Sequence, residues 1–347
     1  MTKKNNVTMQ ALAENLGVSV SVVSRVLSGQ ASKYRISKST EEAVLKLAKE
    51  HRFRPNQLAR GLRLRKTSTF GLLIPDISNP FFSDIARHIE MNARKIGYSI
   101  LLCDSQEDND IERESLDLLR NRMIDGLIIS PVGSQGDHLV ELLEDGLPIA
   151  VVDRNFSNID LPCVTSDNYQ GAYDGMQHLL DHGHRTIAFV QGLPDADPNV
   201  ERVRGYKVAL RDAGIPFKKS LVIGTDFGQE SGYAAAKKLL KRKQPPTAIF
   251  AAGNMIALGV LSALAEEGVR TPQDMSIISF DESPWSPFLD TPMTTIAQDT
   301  AKIGRMAVEL LTNQIEKSKR ARRPTVLLPT KLVSRDSVRR LRTPKKQ

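Results

Sequence analysis

The sequence predicts a small all-α head joined to a two-lobed α/β core. Apolar residues recur at helical spacing through the first fifty positions, whereas apolar strand-like runs alternate with amphipathic helical segments from Thr69 onward. That second pattern continues for about 280 residues, which is long for one sheet and favours two similar lobes. The 347 residues therefore leave room for several domains.

The first predicted helix begins after Thr8, a good N-cap residue, and ends at Gly17, which can leave a helix with positive φ. Its apolar residues follow the i, i+3, i+4, i+7 spacing of one helix face. They are Met9, Leu12, Ala13 and Leu16.

The next stretch, "GVSVSVVSRVL", alternates like a β-strand at its start. The alternation breaks at Val22-Val23, and Ser19 can cap a helix, so we predict a second helix with Val23, Val26 and Leu27 on its inner side. A third amphipathic helix is predicted from Ser37 or Ser39 to about His51, with Val44, Leu47 and Ala48 inside.

Two helices joined by a short turn containing glycine form the helix-turn-helix pattern, whose second helix fits the DNA major groove. Ser21 could contact base edges or phosphates, Val20 and Val22 could touch thymine methyl groups, and Arg25 could reach guanine or phosphate. The alternative is an ordinary three-helix bundle, in which Val20 belongs to the core.

The charge is distributed unevenly along the chain. Residues 1–66 hold 14 Lys/Arg against 4 Asp/Glu, residues 67–316 hold 22 against 35, and residues 317–347 hold 12 against 1. A basic head on an acidic body is expected when one end binds a polyanion such as DNA. A merely solvated charged face is the alternative.

Residues 52–68, "RFRPNQLARGLRLRKTS", predict a short hinge helix. Pro55 ends the preceding helix, and Asn56 can cap two turns that run through Leu62. A helix of that length containing Gly61 is unstable alone, so we expect DNA and a paired copy from a second subunit to hold it. Without DNA and the paired copy, the segment is expected to be a flexible linker.

The body contains seven strand-like runs, which predict parallel sheets covered by helices and a ligand cleft at the carboxyl ends of the strands. The runs are "FGLLI", "YSILLC", "GLIIS", "IAVVD", "TIAFVQ", "TAIFAAG" and "MSIISFD". Polar and aromatic residues just past the strand ends are the cleft candidates. They are Asp76, Asn79, Phe81, Phe82, Asp153, Arg154, Asp281 and Trp285.

Along its whole length the chain resembles the lactose/galactose repressor family of bacterial transcription regulators. The segments that carry the resemblance occur in order along the chain. They are "VTMQALAENLGVSVSVVSRVLSG", "RPNQLARGL", "TFGLLIPDISNPFF", "HLLDHGHRTIAFVQG", "ERVRGYKVAL", "NMIALGVLSALAEEGVRTPQDMSIISFDE" and "PMTTIAQDTAKIGRMAVELL".

The resemblance implies a core like that of the periplasmic binding proteins, and DNA contacts from the head and the hinge. It places Leu62 as a wedge in the minor groove at the operator centre. The predicted DNA-binding residues are Thr8, Ser19, Val20, Ser21, Val22, Ser24, Arg25, Asn56, Gln57, Ala59 and Leu62.

By the same resemblance, Phe82, Arg202, Asp281 and Gln298 would hold a small-molecule effector, and Phe81, Arg154, Asn254 and Trp285 complete the predicted effector site. The chain departs from the family at "AAGNMIALG", where Gly253-Asn254 replaces a common Asn-Asp pair. The hydroxyl pattern of the effector therefore cannot be copied from a lactose or galactose complex. Two arginines favour a sugar acid over a sugar, unless they are paired internally.

We divide the chain into a helix-turn-helix domain (1–54), a hinge helix and linker (55–67), a core (68–340) and a basic tail (341–347). The first lobe takes about 68–167 plus 299–325, and the second about 168–298 plus 326–340. "TVLLPTKLV" is expected to be one closing strand, and the tail lacks the leucine heptads of a tetramerising zipper, so a homodimer is expected.

Other patterns exclude several classes of protein. No apolar run approaches the ~18 residues of a membrane span, and the first residues lack a secretion signal, so we expect a cytoplasmic protein. Cys103 and Cys163 are expected to be buried free thiols. His182 and His184 could be a metal pair, but lack further nearby ligands, so no metal is predicted.

No nucleotide-binding or nucleophile motif is present, and we predict neither an enzyme nor a cofactor. The sequence thus predicts a repressor of carbohydrate or sugar-acid utilisation genes that binds a pseudo-palindromic operator in double-stranded DNA as a dimer. Its effector would be a sugar, a sugar acid or a related metabolite, either inducer or corepressor. The alternatives are a transport-associated sugar-binding protein and an enzyme on an α/β scaffold.

Overall fold

The chain forms two compact units, which divide between Thr67 and Ser68. A computed structural model describes residues 8–51, 53, 66–156, 158–317 and 325–341. Within these residues, no helix combines the length and the apolar character needed to cross a membrane.

The described residues of the first unit form three short helices and a 3₁₀ turn at Ser32–Tyr34. The helices are α1 (Met9–Leu16), α2 (Val20–Leu27) and α3 (Lys38–Glu50). They enclose a small apolar core that buries Leu12, Ala13, Val23, Val26, Ala31, Val44 and Ala48.

The ambiguous stretch after Gly17 is helical, as predicted. Gly17 ends α1 in the left-handed region with φ 63°, and the Ser19 hydroxyl accepts a hydrogen bond from the backbone N–H of Val22 at 3.3 Å. Val23 is fully buried, whereas Val20 is 44% exposed. The bundle alternative that places Val20 in the core is therefore wrong.

The second unit alternates strands and helices. Its helices are α4 (Pro80–Lys95), α5 (Asn109–Asn121), α6 (Val140–Glu144), α7 (Asn168–Asp181), α8 (Asp197–Asp212), α9 (Gln229–Leu240), α10 (Asn254–Glu266) and α11 (Thr300–Lys317). Its strands are β1 (Thr69–Ile74), β2 (Ser99–Asp104), β3 (Gly126–Ile129), β4 (Ile149–Val152), β5 (Cys163–Ser166), β6 (Ile187–Val190), β7 (Val222–Ile223), β8 (Ala248–Ala251), β9 (Ser276–Phe280), β10 (Thr294–Ala297), β11 (Thr325–Leu328) and β12 (Lys331–Val333).

The strands form two six-stranded sheets, each the centre of one lobe. The first sheet has the order β11-β5-β4-β3-β1-β2, with every pair parallel. The second has the order β12-β10-β9-β8-β6-β7 and is parallel apart from the antiparallel pair of β12 and β10. This architecture confirms the predicted fold class of a helical head and a two-lobed α/β core.

The last crossing between the lobes differs from the predicted boundary. β11 pairs with β5 in the first sheet, and β12 pairs with β10 in the second. The chain thus crosses after Leu328, not after residue 325, and "TVLLPTKLV" is two strands rather than one. Pro329 interrupts the run because proline offers no N–H to a sheet.

Strands β5, β7 and β10 are not among the seven predicted runs. They are short, and β5 and β10 carry Thr and Ser at buried positions, so their apolar signal is weak. Cys163 in β5 is a buried free thiol as expected, whereas Cys103 in β2 is only half-buried.

Candidate functional site

The outer surface of α2 carries most of the residues predicted to read DNA. Val20, Ser21 and Arg25 are exposed, and Val22 and Ser24 are partly buried. Thr8 and Ser19 are exposed N-cap residues of α1 and α2, since each side chain accepts a backbone N–H of its helix. A helix N-terminus with a hydroxyl cap suits contact with phosphate oxygens.

Arg25 is held by a neighbour that the sequence patterns do not reveal. Its guanidinium carbon lies 3.9 Å from the ring centroid of Tyr34, in the 3₁₀ turn after α2. Tyr34 is 43% exposed and is flanked by the exposed Lys33 and Arg35. The stacking restricts the arginine side chain at the surface of α2.

The predicted hinge residues Asn56, Gln57, Ala59 and Leu62 lie outside the described residues, so their assignment remains a prediction.

In the second unit, a cavity lies between the two lobes. Its walls come from loops and helix ends at the carboxyl edges of both sheets, where parallel strands bring side chains together. The lining residues are Asn79, Phe81, Phe82, Asp153 and Arg154 from the first lobe and Pro198, Arg202, Phe227, Gly253, Asn254 and Asp281 from the second.

Arg154 follows β4 and is 2% exposed. Two guanidinium nitrogens donate to the carboxylate of Glu107 at 2.5 and 2.6 Å, and one also donates to the carbonyl of Pro131 at 3.4 Å. The guanidinium carbon lies 5.6 Å from the ring of Phe82 and 5.2 Å from that of Phe227. Burial alone would lower the pKa of Arg154, but the hydrogen bonds to Glu107 and the charges of Glu107, Asp153 and Glu112 together outweigh it, and the pKa is raised.

Arg202 occupies the facing position on α8 and is also buried. It donates to Asn168 Oδ1 at 2.8 Å and to the carbonyl of Ala252 at 2.5 Å, and its guanidinium lies 3.8 Å from the ring centroid of Phe280. Burial lowers the pKa of Arg202, although the charge of Asp281 opposes the shift. Internal partners thus orient both cleft arginines.

Two carboxylates stand at equivalent places in the lobes, directly after β4 and β9. Asp153 and Asp281 are both buried, and both have positive φ, 63° and 68°. Such backbone is uncommon for residues other than glycine and concentrates at functional sites. Asp281 accepts a hydrogen bond from Gln298 at 2.6 Å, whereas Oδ1 of Asp153 has no hydrogen-bond partner among the described residues.

Burial dominates the ionisation of both carboxyl groups. Loss of hydration raises the pKa of Asp153 to about 6, against the opposing charges of Arg202 and Arg154. Burial also raises the pKa of Asp281, with Arg202 again opposing the shift. The cavity therefore holds two carboxyl groups that accept ligand hydroxyls when they are ionised.

A hydrogen bond crosses the cleft from α10 to the N-terminus of α4. Nδ2 of Asn254 donates to Oδ1 of Asn79 at 3.0 Å and lies 3.1 Å from the Ser283 hydroxyl. The free space between the lining side chains is about 20 Å³. That volume exceeds the ~10–15 Å³ that one water molecule needs, but the cleft has no room for a sugar-sized molecule in this conformation.

Six of the eight predicted effector residues meet at this cavity, namely Phe81, Phe82, Arg154, Arg202, Asn254 and Asp281. Gln298 contacts the site through Asp281. Trp285 is not among the lining residues and precedes a 3₁₀ turn that ends at the exposed Phe288. Asp76 is a turn residue that accepts from Ser78.

Sequence patterns missed three lining residues. Pro198 lies in the first turn of α8, Phe227 lies in the loop before α9, and Gly253 directly precedes α10. Asn79 and Asp153 were cleft candidates by their position after a strand.

The histidine pair has other partners. His184 is buried, with its ring nitrogens against the Thr247 hydroxyl and the carbonyl of Arg339. Burial lowers the pKa of His184 to about 4. Within the described residues, no group of three or more His, Cys, Asp or Glu side chains could hold a metal ion.

Two family models match the chain in the order of its two units. Residues 8–56 match the model described as "Bacterial regulatory proteins, lacI family". Residues 67–336 match the model described as "Periplasmic binding proteins and sugar binding domain of LacI family".

Individual proteins agree with the family models. Catabolite control protein A of Priestia megaterium is 36% identical over 90% of this chain and 93% of its own length. A LacI family regulator of Enterococcus faecium, solved with bound ribose, is 31% identical, with TM-score 0.72, over 79% of this chain and 100% of that one.

The lac repressor dimer solved on its operator covers 96% of this chain and 100% of its own, with TM-score 0.85 and 24% identity, and shows the shared fold. Other curated relatives are named as HTH-type transcriptional regulators and repressors. The chain therefore belongs to the LacI family of bacterial regulatory proteins.

Proposed function

We propose that this protein is a ligand-controlled transcriptional repressor that binds a pseudo-palindromic operator as a homodimer. The observation that carries the proposal is the surface of α2, a hydroxyl-capped helix whose exposed face presents Val20, Ser21 and Arg25. Two such helices, one from each subunit, would enter successive major grooves about one helical turn apart. The named relatives include a repressor dimer bound to operator DNA.

The effector would bind between the lobes, where two arginines, two carboxyl groups and three phenylalanines meet. These side chains suit a small polar metabolite of carbohydrate metabolism, and one relative was solved with ribose and another with cellobiose. An effector regulates only if its affinity differs between the DNA-competent and incompetent states. Preference for the incompetent state makes it an inducer, and the opposite preference a corepressor.

A regulator of this kind works in the cytoplasm, where it meets chromosomal DNA. A transport-associated sugar-binding protein would share the core, but the matched DNA-binding head has no role in it. The relatives are regulators rather than enzymes, and steady turnover of a bound metabolite would be needed to support catalysis.

The test selects operator sequences from random duplexes and then measures affinity at several salt concentrations. We expect selected sites with two half-sites in inverted order, and a log–log salt slope of about −0.9 for each neutralised phosphate. The variant Arg25→Gln exchanges the guanidinium for a shorter, uncharged amide, and it should lose affinity and base preference at one position of each half-site. Duplex binding that is independent of salt and sequence would contradict the proposal.

A further inference from the structure

We infer that the effector is an anion whose carboxylate or phosphate group takes the place of Glu107 on the Arg154 guanidinium. This inference rests on the proposed function, because it assigns the chemical class of the molecule that binds between the lobes. It also rests on three features of the cleft: the burial of Arg154, the exposure and backbone of Glu107, and the small volume of the cavity.

The positive charge of Arg154 is permanent and enclosed. Its side chain is 2% exposed, with aromatic rings of both lobes near the guanidinium, Phe82 from the first and Phe227 from the second. A buried charge without a partner is strongly unfavourable, so Arg154 needs an anion whether or not a ligand is present. Glu107 supplies that anion in the closed cleft through two parallel hydrogen bonds.

Glu107 differs from its partner in exposure and backbone. Its side chain is 34% exposed, and it lies in the loop between β2 and α5. Gln106 and Glu107 have φ of 53° and 58°, two consecutive residues in the left-handed region that residues other than glycine rarely adopt. The carboxylate of Glu107 can turn into solvent and be hydrated there, whereas Arg154 cannot leave its pocket.

The cavity is too small for a metabolite in this conformation. Its volume of about 20 Å³ has room for a water molecule but not for a metabolite, so side chains must move before a metabolite can bind. A carboxylate or phosphate that displaces Glu107 reproduces the bidentate geometry and leaves Arg154 paired. A neutral sugar that displaced Glu107 would leave the buried guanidinium without its hydrogen-bonded carboxylate, and only the charges of Asp153 and Glu112 would remain nearby.

The other lining side chains indicate which further chemical groups the anion has. Asp153 has a buried oxygen without a partner among the described residues, and Asp281 stands opposite on the second lobe. Carboxyl oxygens accept hydrogen bonds from hydroxyl groups, and the phenylalanine rings suit the apolar face of a sugar. The expected ligand is a polyhydroxylated acid or a sugar phosphate.

The test is isothermal titration calorimetry with acids matched to neutral sugars: D-gluconate against D-glucose, D-galacturonate against D-galactose, and D-glucose 6-phosphate against D-glucose. The phosphate pair distinguishes a phosphate from a carboxylate. Inorganic phosphate serves as a minimal probe of the arginine itself. The variants are Glu107→Gln, which removes the competing charge, Arg154→Met, which removes the cation, and the control Glu114→Gln, an exposed glutamate on α5.

We expect at least one anion to bind the wild-type protein at least tenfold more tightly than its neutral partner. Glu107→Gln should tighten that anion about tenfold further, because the internal competitor is gone, and Arg154→Met should abolish the preference. Glu114→Gln should match the wild type. Thermal unfolding of each variant reports whether it is folded.

The inference is overturned if a neutral sugar binds as tightly as its acid, or if Glu107→Gln leaves the affinity for every anion, including inorganic phosphate, unchanged. Operator binding without any small molecule tests the proposed function separately. Release of the operator by a neutral sugar would overturn the inference of an anionic effector but not the proposed repressor function. Failure to bind any duplex would overturn the proposed repressor function.

Discussion

Asn254 and Asn79 join the two lobes of the core by a hydrogen bond of 3.0 Å across the effector cleft. Both side chains are buried, with 1% and 7% exposed. The acceptor oxygen of Asn79 also caps α4, since it accepts the backbone N–H of Phe81 at 3.0 Å. The closure of the lobes is thereby linked to the helix that carries the two cleft phenylalanines.

Asn254→Ala removes the donor of this bond and should destabilise the closed core. Oδ1 of Asn79 keeps its hydrogen bond from Phe81, so the loss of the bond across the cleft costs about 0.5–1.5 kcal/mol of unfolding free energy. We therefore expect a melting temperature lower by several degrees in differential scanning calorimetry, and a more open core in small-angle scattering.

Ser283→Ala is the matched control, because it removes the other acceptor near Asn254 and keeps the bond across the cleft. Its scattering curve should match that of the wild type. Equal opening in both variants would mean that the bond to Asn79 does not hold the lobes together.

Ser19 has two roles that one pair of substitutions can separate. Ser19→Ala loses the cap of α2 and should reduce the stability of the head by about 0.5–2 kcal/mol. Ser19→Asp keeps a capping oxygen but places a negative charge where phosphates are expected. The melting temperature of the head should fall only in Ser19→Ala. The affinity for DNA, measured by fluorescence anisotropy, should fall in both variants.

The two Ser19 variants separate helix capping from DNA contact, because the melting temperature reports the cap and the affinity reports the contact. Ser19→Asp should bind DNA worse than Ser19→Ala in spite of its better helix cap. The reverse order would show that the N-terminus of α2 does not approach the DNA backbone.

Tyr34→Ala should weaken DNA binding although the head stays folded. Exposed cation–π contacts contribute about 0.5–1 kcal/mol, which corresponds to a two- to fivefold change in affinity if Arg25 must be held in place for binding. Tyr34→Phe retains the ring and should bind like the wild type. Anisotropy titrations at one fixed salt concentration measure the difference, and equal loss in both variants would assign the effect to the hydroxyl instead.

The head could be predicted from sequence because its signals are local. Thr8, Gly17 and Ser19 fix where helices begin and end within a few residues of themselves, and the break at Val22-Val23 settles the period. Arg25 was also predictable, but Tyr34 was not. Its contact depends on the turn of the backbone at residues 32–34, which no periodic pattern encodes.

The cleft was predictable only where topology dictates position. Parallel strands deliver whatever follows them to one edge, and that rule places Asp153, Arg154 and Asp281. Phe227 and Glu107 lie in loops whose positions depend on contacts distant in sequence. The division of "TVLLPTKLV" between the two sheets was unpredictable for the same reason, since β11 pairs with β5 and β12 pairs with β10.

Asp153→Asn should stabilise the protein above pH 6, because burial raises the pKa of Asp153 from 3.8 to about 6. Well below pH 3.8 the carboxyl is protonated in both folded and unfolded chains and contributes nothing to the pH dependence. As the pH rises from about 4 to 6 only the unfolded chain ionises, so the wild type loses stability, by up to about 3 kcal/mol. Asparagine also tolerates the positive φ. Urea unfolding between pH 4 and 8 should show the unfolding free energy of Asp153→Asn rising above that of the wild type as the pH increases from about 4 to 6. The exposed control Asp290→Asn should show no such pH-dependent difference. A difference between Asp153→Asn and the wild type that is the same at every pH would refute burial of the carboxylate as its cause.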